Sequence, residues 1–295
     1  MLTFKPVAQR DMSRLRRYYK DCDYQLCEYS ALVKLMWRGH LHPQYAEAAG
    51  CLIVKNCIDG KYCFDYPVPG PDGDEDAALC AIEEHCMEQG IALELSVVPR
   101  EKAGKLLMRY PHFHLDNPRS WRDYLYEAND LRDFPGRHYS GQRNHISRFL
   151  RTCQSWSFEP LDNTDAAEVE TFFHTLNKKL NYTPGEAAEE NHKVQEVLEH
   201  LDQYGLVGGV LRADGAIVGF TLGEVLRDTL YIHIEKADRD YPGAYQMLCR
   251  QFCTAYADGL AYVNREEDMG DLGLRKAKRD LHPVTQLKKY TVEVW

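Results

Sequence analysis

Hydrophobic positions change their spacing several times along the chain, and each change predicts an element. CLIVKN at 51–56 is an apolar run of strand length, Asp59-Gly60 a two-residue hairpin turn, and KYCFDYPV at 61–68 the returning strand. The acidic break PDGDED at 71–76 opens a helix that reaches about Gln89. IALELSVV (91–98) reads as a strand and REKAGKLLMR (100–109) as a helix, and HFHL (112–115) and SWRDYLYEA (120–128) read as closing strands.

The same order returns downstream. LVGGVLR (206–212), the turn Asp214-Gly215 and AIVGFTLGEVL (216–226) make a second hairpin. In TLYIHIEKA (229–237), Leu230, Ile232 and Ile234 alternate with Tyr231, His233 and Glu235, the period of a strand. A helix from Gly243 to about Asp258 places Tyr245, Leu248, Cys249, Phe252, Cys253 and Tyr256 on one face. LAYV (260–263) is a strand, DLGLRKAKRDL (271–281) a helix and KKYTVEVW (288–295) a last strand. Helical stretches at 136–152, 166–180 and 187–203 fill the middle. The chain of 295 residues is therefore expected to be two α+β modules, mixed sheets flanked by helices, divided as 1–134 and 135–295.

Composition narrows the classes. A hydrophobic fraction of 44% with 27% charged residues excludes a disordered chain, and a net charge of −9 excludes a wholly basic coat for nucleic acid. The most apolar stretch, 216–226, contains Thr221 and Glu224 and is far shorter than the ~20 residues of a bilayer-spanning helix. The first twenty residues have no signal-peptide core, so a cytoplasmic location is expected. Ten cysteines without a CxxC read as reduced, mostly buried thiols. The pairs His40/His42 and His112/His114 lack a completing acid or thiol, so no metal is expected.

Three clusters could carry chemistry. Residues 132–151 hold Arg132, Arg137, Arg143, Arg148 and Arg151 against one acid, Asp133, with Tyr139, Asn144 and His145 among them. Arginine forks suit phosphate or carboxylate, although a solvated helix face would have the same composition. Residues 233–246 run from strand to helix. His233 and Glu235 share a strand face as candidate general bases beside Lys236, Asp238 and Asp240 crowd the turn, and Gly243 opens the helix whose N–H groups could meet an anion. Alternatively Asp240 caps the helix and Glu235 pairs with Lys236 or Arg239. Residues 264–283 gather Asn264, Arg265, Glu266, Glu267 and Asp268, then Arg275, Lys278 and Arg279 on one helix face, a site or simply an ion-pair network.

YSGQRNHISRFLR, HIEKADRDYPGAYQML and NREEDMGDLGLRKAKRDLHP together resemble the soluble C-terminal domain of phosphatidylglycerol lysyltransferases, and in particular its stand-alone cytosolic relatives. GLRKAKRDLHP is also similar to a motif of Fem-type peptidoglycan bridge transferases. The resemblance implies tandem GNAT (acyltransferase) modules and transfer of an aminoacyl group from an activated donor such as aminoacyl-tRNA to a hydroxyl or amine, phospholipid-like or small. For that chemistry, the placement of charge makes Glu235 or Glu266 a candidate base and Arg265, Lys236 or Lys278 candidates to stabilise developing charge. Arg137, Tyr139, Arg143, Asn144, Asn264, Arg275 and Lys278 would bind the donor, and Glu235, Asp238 and Asp240 its ammonium. The acyl-CoA signature Q/R-x-x-G-x-G/A is not matched, because Arg239 is followed by Asp240-Tyr241-Pro242. A CoA-dependent N-acyltransferase and a non-catalytic anion-binding module are the other expectations.

Overall fold

A computed structural model describes residues 2–162, 164–179 and 184–295, the side chains of 184–191 excepted. The end of the expected 166–180 helix, at Leu180, lies outside the described residues. The chain forms two units, the first from residues 1–124, 266–275 and 286–295, the second from 125–265 and 276–285.

The sheet of the first unit runs Lys5–Pro6, Gln44–Ala48, Cys51–Ile58, Lys61–Asp65, Leu93–Pro99, Lys289–Val294, Phe113–Asp116 in spatial order. Neighbours are antiparallel except Lys61–Asp65 and Leu93–Pro99, which run parallel. A parallel step needs a crossover, supplied here by helix Glu75–Gln89. The acidic break before that helix is its cap, since the Asp74 carboxylate accepts from the Asp76 and Ala77 amides. Gly90, at φ +63°, ends it.

The second sheet runs Thr285–Leu287, Asp123–Glu127, Tyr262–Asn264, Thr229–Ala237, Ala216–Leu226, Val207–Ala213, Trp156–Pro160. Its parallel pair is Thr229–Ala237 with Tyr262–Asn264, joined through helix Ala244–Tyr256. Both sheets thus use an Asp-Gly hairpin, helix, parallel strand and helix in that order, and in the second a further strand, Thr229–Ala237, precedes the first helix, as the sequence led us to expect. Both hairpins turn on Asp-Gly with both residues at positive φ, Asp59-Gly60 and Asp214-Gly215.

A single cut at 134/135 does not describe the contacts. Lys289–Val294, from the end of the chain, pairs with both Leu93–Pro99 and Phe113–Asp116 in the first sheet. Asp123–Glu127, from the first half, pairs with Tyr262–Asn264 in the second. Each half donates one strand to the other's sheet, because in each sheet the parallel strand leaves an edge that its own half does not cover.

Helix Ala244–Tyr256 buries Ala244, Met247, Leu248, Cys249, Phe252 and Cys253. That face is turned slightly from the expected one, leaving Tyr245 and Tyr256 half-buried. Burying side chains such as Leu248 and Phe252 stabilises by about 1.5–3 kcal/mol each. The helix starts at Gly243, φ +91°, where an added Cβ would stand 2.1 Å from the His145 carbonyl oxygen of helix Ser140–Thr152.

Gly243→Ala should therefore cost about 2–4 kcal/mol, from left-handed backbone strain plus overpacking. Gly141→Ala, whose Cβ would meet nothing within 4 Å, should be neutral or stabilising. Chemical denaturation of the two variants beside the parent checks both expectations.

Candidate active site

The second unit's parallel strands pair over only three residues, Thr229–Tyr231 against Tyr262–Asn264. Beyond that point the strands part, and the residues that follow meet through side chains instead of the ladder. Glu235 of one strand and Arg265, just past the other, form a buried ion pair. Lys278, at the end of helix Leu272–Arg279, donates its ammonium to the Arg265 carbonyl. Tyr126 in turn donates its hydroxyl to the Lys278 carbonyl at 2.7 Å. Burial raises the Glu235 carboxyl above its ordinary pKa, with Arg265 and then Lys278 pulling it back. Burial also opposes the Arg265 charge, but Glu235 and the Cys249 thiol beside it hold the guanidinium firmly protonated.

Two atoms of this pair are unsatisfied. Glu235 Oε2 and Arg265 Nε are buried and have no hydrogen-bond partner among the described residues. Buried polar groups are seldom left so, and the exceptions concentrate where a ligand or water completes them. The pair thus keeps one unused acceptor and one unused donor. Such a couple can take a proton from a hydroxyl or ammonium and donate to a developing oxyanion.

His233 is engaged elsewhere. Leu222 opposes Ile234 and Gly223 opposes Ile232, so the register shifts by one residue at His233, a bulge. Its Nε2 lies 3.0 Å from Glu224 Oε1, with both side chains almost wholly buried. The simple two-residue alternation expected for this strand therefore breaks at His233, and Glu224 emerges as a buried acid that its apolar strand pattern concealed.

The other expected site residues take separate places. Tyr139 is fully buried, its hydroxyl donating to the Leu281 carbonyl at 3.0 Å, which fits packing better than substrate contact. Arg143 is exposed and donates to the Phe134 and Gly136 carbonyls, closing the end of helix Ala128–Asp133. Arg137 and Asn144 are exposed. Asp238 binds Lys179 at 2.7 Å and accepts from the Asp240 amide, while the Lys236 ammonium lies over the Phe173 ring. Gly243 serves the helix packing described above. Asn264 is buried immediately before Arg265. In the first unit, Glu266 sits at φ +56° and Arg275 is bidentate to Asp268, which also accepts from Tyr124. That pairing with Arg275 holds the Asp268 carboxyl well below the usual range. His40, His42, His112 and His114 are all exposed.

The family model for the C-terminal domain of phosphatidylglycerol lysyltransferase matches residues 20–293. The chain belongs to that family. Solved structures with a similar fold range widely in sequence identity to this chain. A conserved protein of unknown function from Bacteroides thetaiotaomicron VPI-5482 is 28% identical with a TM-score of 0.91, covering 100% of both chains. The L-PGS of Bacillus licheniformis has a TM-score of 0.70 at 12% identity, over 98% of this chain and 93% of that one. A tandem GNAT protein from the clavulanic acid biosynthesis pathway has a TM-score of 0.52 at 11% identity, over 99% of this chain and 98% of that one. The fold is α+β and tandem GNAT-like. An uncharacterized protein of Mycoplasmoides gallisepticum is 23% identical over 173 residues, 58% of this chain and 56% of that protein's length. Among the described residues no helix is long and apolar enough to cross a membrane.

The first unit of this family member holds a second buried cluster that the sequence did not suggest. Lys289 lies 2.6 Å from Glu28, 2.6 Å from Asp123 and 3.1 Å from Glu267, with the Cys27 thiol at 3.4 Å. Cys27, Glu28 and Glu267 bring ligand-type atoms within 4.8 Å of one another, a set able to hold a metal ion. The Lys289 ammonium already supplies a cation there. One lysine against three carboxylates leaves excess negative charge. Burial pushes Asp123 up to about 6, against the pull of Lys289 and with Glu28 and Glu267 adding to the rise.

A carboxyl raised in the folded state holds its proton after the unfolded chain has released it. Its stabilising effect is complete below the unfolded value of 3.8 and is lost as pH rises to about 6. Asp123→Asn should remove this component. The stability difference between parent and variant should change by about 3 kcal/mol across that window. Denaturation profiles at stepped pH measure it, and parallel profiles would show that Asp123 titrates normally.

Proposed function

We propose that this protein is an acyltransferase that moves an aminoacyl group from an activated donor, such as aminoacyl-tRNA, to a hydroxyl or amine acceptor on a lipid headgroup or small molecule. Family membership supports transferase chemistry of this kind. The observation that carries the reading is the buried Glu235–Arg265 pair with its open acceptor and open donor.

In this mechanism the acceptor oxygen or nitrogen attacks the ester carbonyl carbon of the donor. Glu235, its basicity increased by burial, takes the proton that the nucleophile loses. Arg265 donates to the carbonyl oxygen as it becomes negative, and the nearby Lys278 ammonium lowers the cost of that charge. The tetrahedral intermediate collapses by breaking the carbonyl-carbon bond to the donor's ribose oxygen, which leaves as a hydroxyl with the proton held by Glu235.

Acyl-CoA is the less favoured donor. A pyrophosphate would be expected at the start of helix Ala244–Tyr256, where the His145 carbonyl closes over Gly243 and presents an acceptor, not a donor.

Consumption of labelled aminoacyl-tRNA across a panel of hydroxyl and amine acceptors, phosphatidylglycerol vesicles included, tests the proposal. Glu235→Gln should lower the rate by roughly 10²–10⁴, and Lys278→Met by roughly 10²–10³; because Glu235→Gln leaves the Arg265 charge unpaired, at a cost of about 3–5 kcal/mol, rates are compared at a temperature where circular dichroism shows each variant folded. Turnover in the parent that neither substitution alters would remove the site. Absence of turnover with retained anion binding would favour a non-catalytic module.

A further inference from the structure

The beginning of the chain has a charge pattern opposite to the whole. Residues 2–20 carry Lys5, Arg10, Arg14, Arg16, Arg17 and Lys20 against Asp11 alone, an excess of five in a chain whose net charge is −9. In the first unit this stretch forms strand Lys5–Pro6, the short turn Gln9–Asp11 and helix Met12–Tyr19. The helix buries Met12, Leu15 and Tyr19. That register leaves Arg14 and Arg17 on its exposed side, with Arg10 exposed just before it.

Lys5, Arg10 and Arg14 line an open groove of about 520 Å³ together with Pro6, Asp11 and Tyr45. The acid in the groove is already engaged, since Asp11 accepts from the Tyr45 hydroxyl at 2.9 Å and from the Ala8 amide at 3.0 Å. Glu47 approaches Arg14 only to 3.9 Å. Lys5, Arg10 and Arg17 form no ion pair among the described residues. Lys5, Arg10 and Arg14 in the groove outnumber Asp11 there and Glu47 at Arg14, and an excess of cations in a concave surface focuses a positive potential outward.

We propose that this groove binds the phosphate backbone of an RNA strand, a role that rests on the aminoacyl-tRNA reading of the donor. Three features favour RNA over other anions. Arg10 to Arg17 extends over about 10 Å of chain in helical rise, more than one isolated phosphate needs. The helix turns its apolar residues into the core, so it offers no side chains to enter a bilayer as an interfacial helix would. Arginine and lysine lining a groove match the way a protein tracks a phosphodiester backbone without reading bases.

The test is titration of the full chain with fluorescently labelled, deacylated tRNA over a range of salt from about 50 to 200 mM. The parent should show a steep fall in log K against log salt. The triple variant Arg10→Gln, Arg14→Gln, Arg17→Gln should bind at least tenfold more weakly, with a slope shallower by about two to three, near 0.9 for each phosphate no longer neutralised. The matching Arg→Lys triple variant should keep the slope, which separates charge from folding. Equal affinity and slope in the Gln variant would overturn the proposal, as would loss of binding to anionic lipid vesicles with tRNA binding intact. If the Gln variant loses tRNA while the parent transfers no aminoacyl group, the groove stands and the donor reading falls. If the parent transfers and the Gln variant binds tRNA as before, the groove is wrong and the donor reading stands.

Discussion

The second unit depends on keeping a carboxylate and a guanidinium together out of water. Removing either ion from solvent costs several kcal/mol, and only a close, well-oriented partner offsets it. Glu235 and Arg265 meet this condition because their strands pair in parallel for three residues and then separate. Were the ladder to continue, the backbones would be joined where the side chains now meet. Lys278 and Tyr126 fix the Arg265 side of the pair through backbone carbonyls, so the guanidinium is positioned by groups that need not touch a substrate. Fixed charges of this kind are effective in catalysis because they need not reorganise during reaction.

The bulge at His233 belongs to the same arrangement. One extra residue in strand Thr229–Ala237 breaks the alternation, and Glu224 and His233 meet within the hairpin. The strand that carries Glu235 is thus held by a polar contact on one side and released from its parallel neighbour on the other. The arrangement explains why an acid and a base lie so close in sequence yet have different partners.

Much of the fold was legible in the amino-acid order. Asp-Gly pairs marked both hairpins, and the 100–109, 216–226 and 229–237 elements fall where periodicity placed them. The edge strand Trp156–Pro160 escaped, because Trp156 and Phe158 alone at two-residue spacing make too short a pattern, and its residues remain largely exposed. Helix Met12–Tyr19 was overlooked although Met12, Leu15 and Tyr19 carry its spacing, because arginines dominate its composition. Within the candidate site, Glu235, Arg265 and Lys278 were recognisable as a charged set, but their mutual contacts were not. Sequence shows which residues carry charge and cannot show which partner each will find. Thus Arg143 became a helix-end donor, Tyr139 a packing residue, and the Lys289 cluster stayed hidden across some 260 residues of separation.

The exchange of strands has a consequence for how the protein is made. Leu93–Pro99 and Phe113–Asp116 are not neighbours, and the place between them belongs to Lys289–Val294. On a ribosome adding about 5–20 residues per second, the first sheet must wait roughly ten to thirty seconds for its missing member. During that interval two strand margins are bare and Glu28 and Asp123 have yet to receive the ammonium of Lys289. The nascent amino-terminal half is then most exposed to intermolecular pairing, and a chaperone that shields those margins would have its greatest effect before Lys289–Val294 emerges.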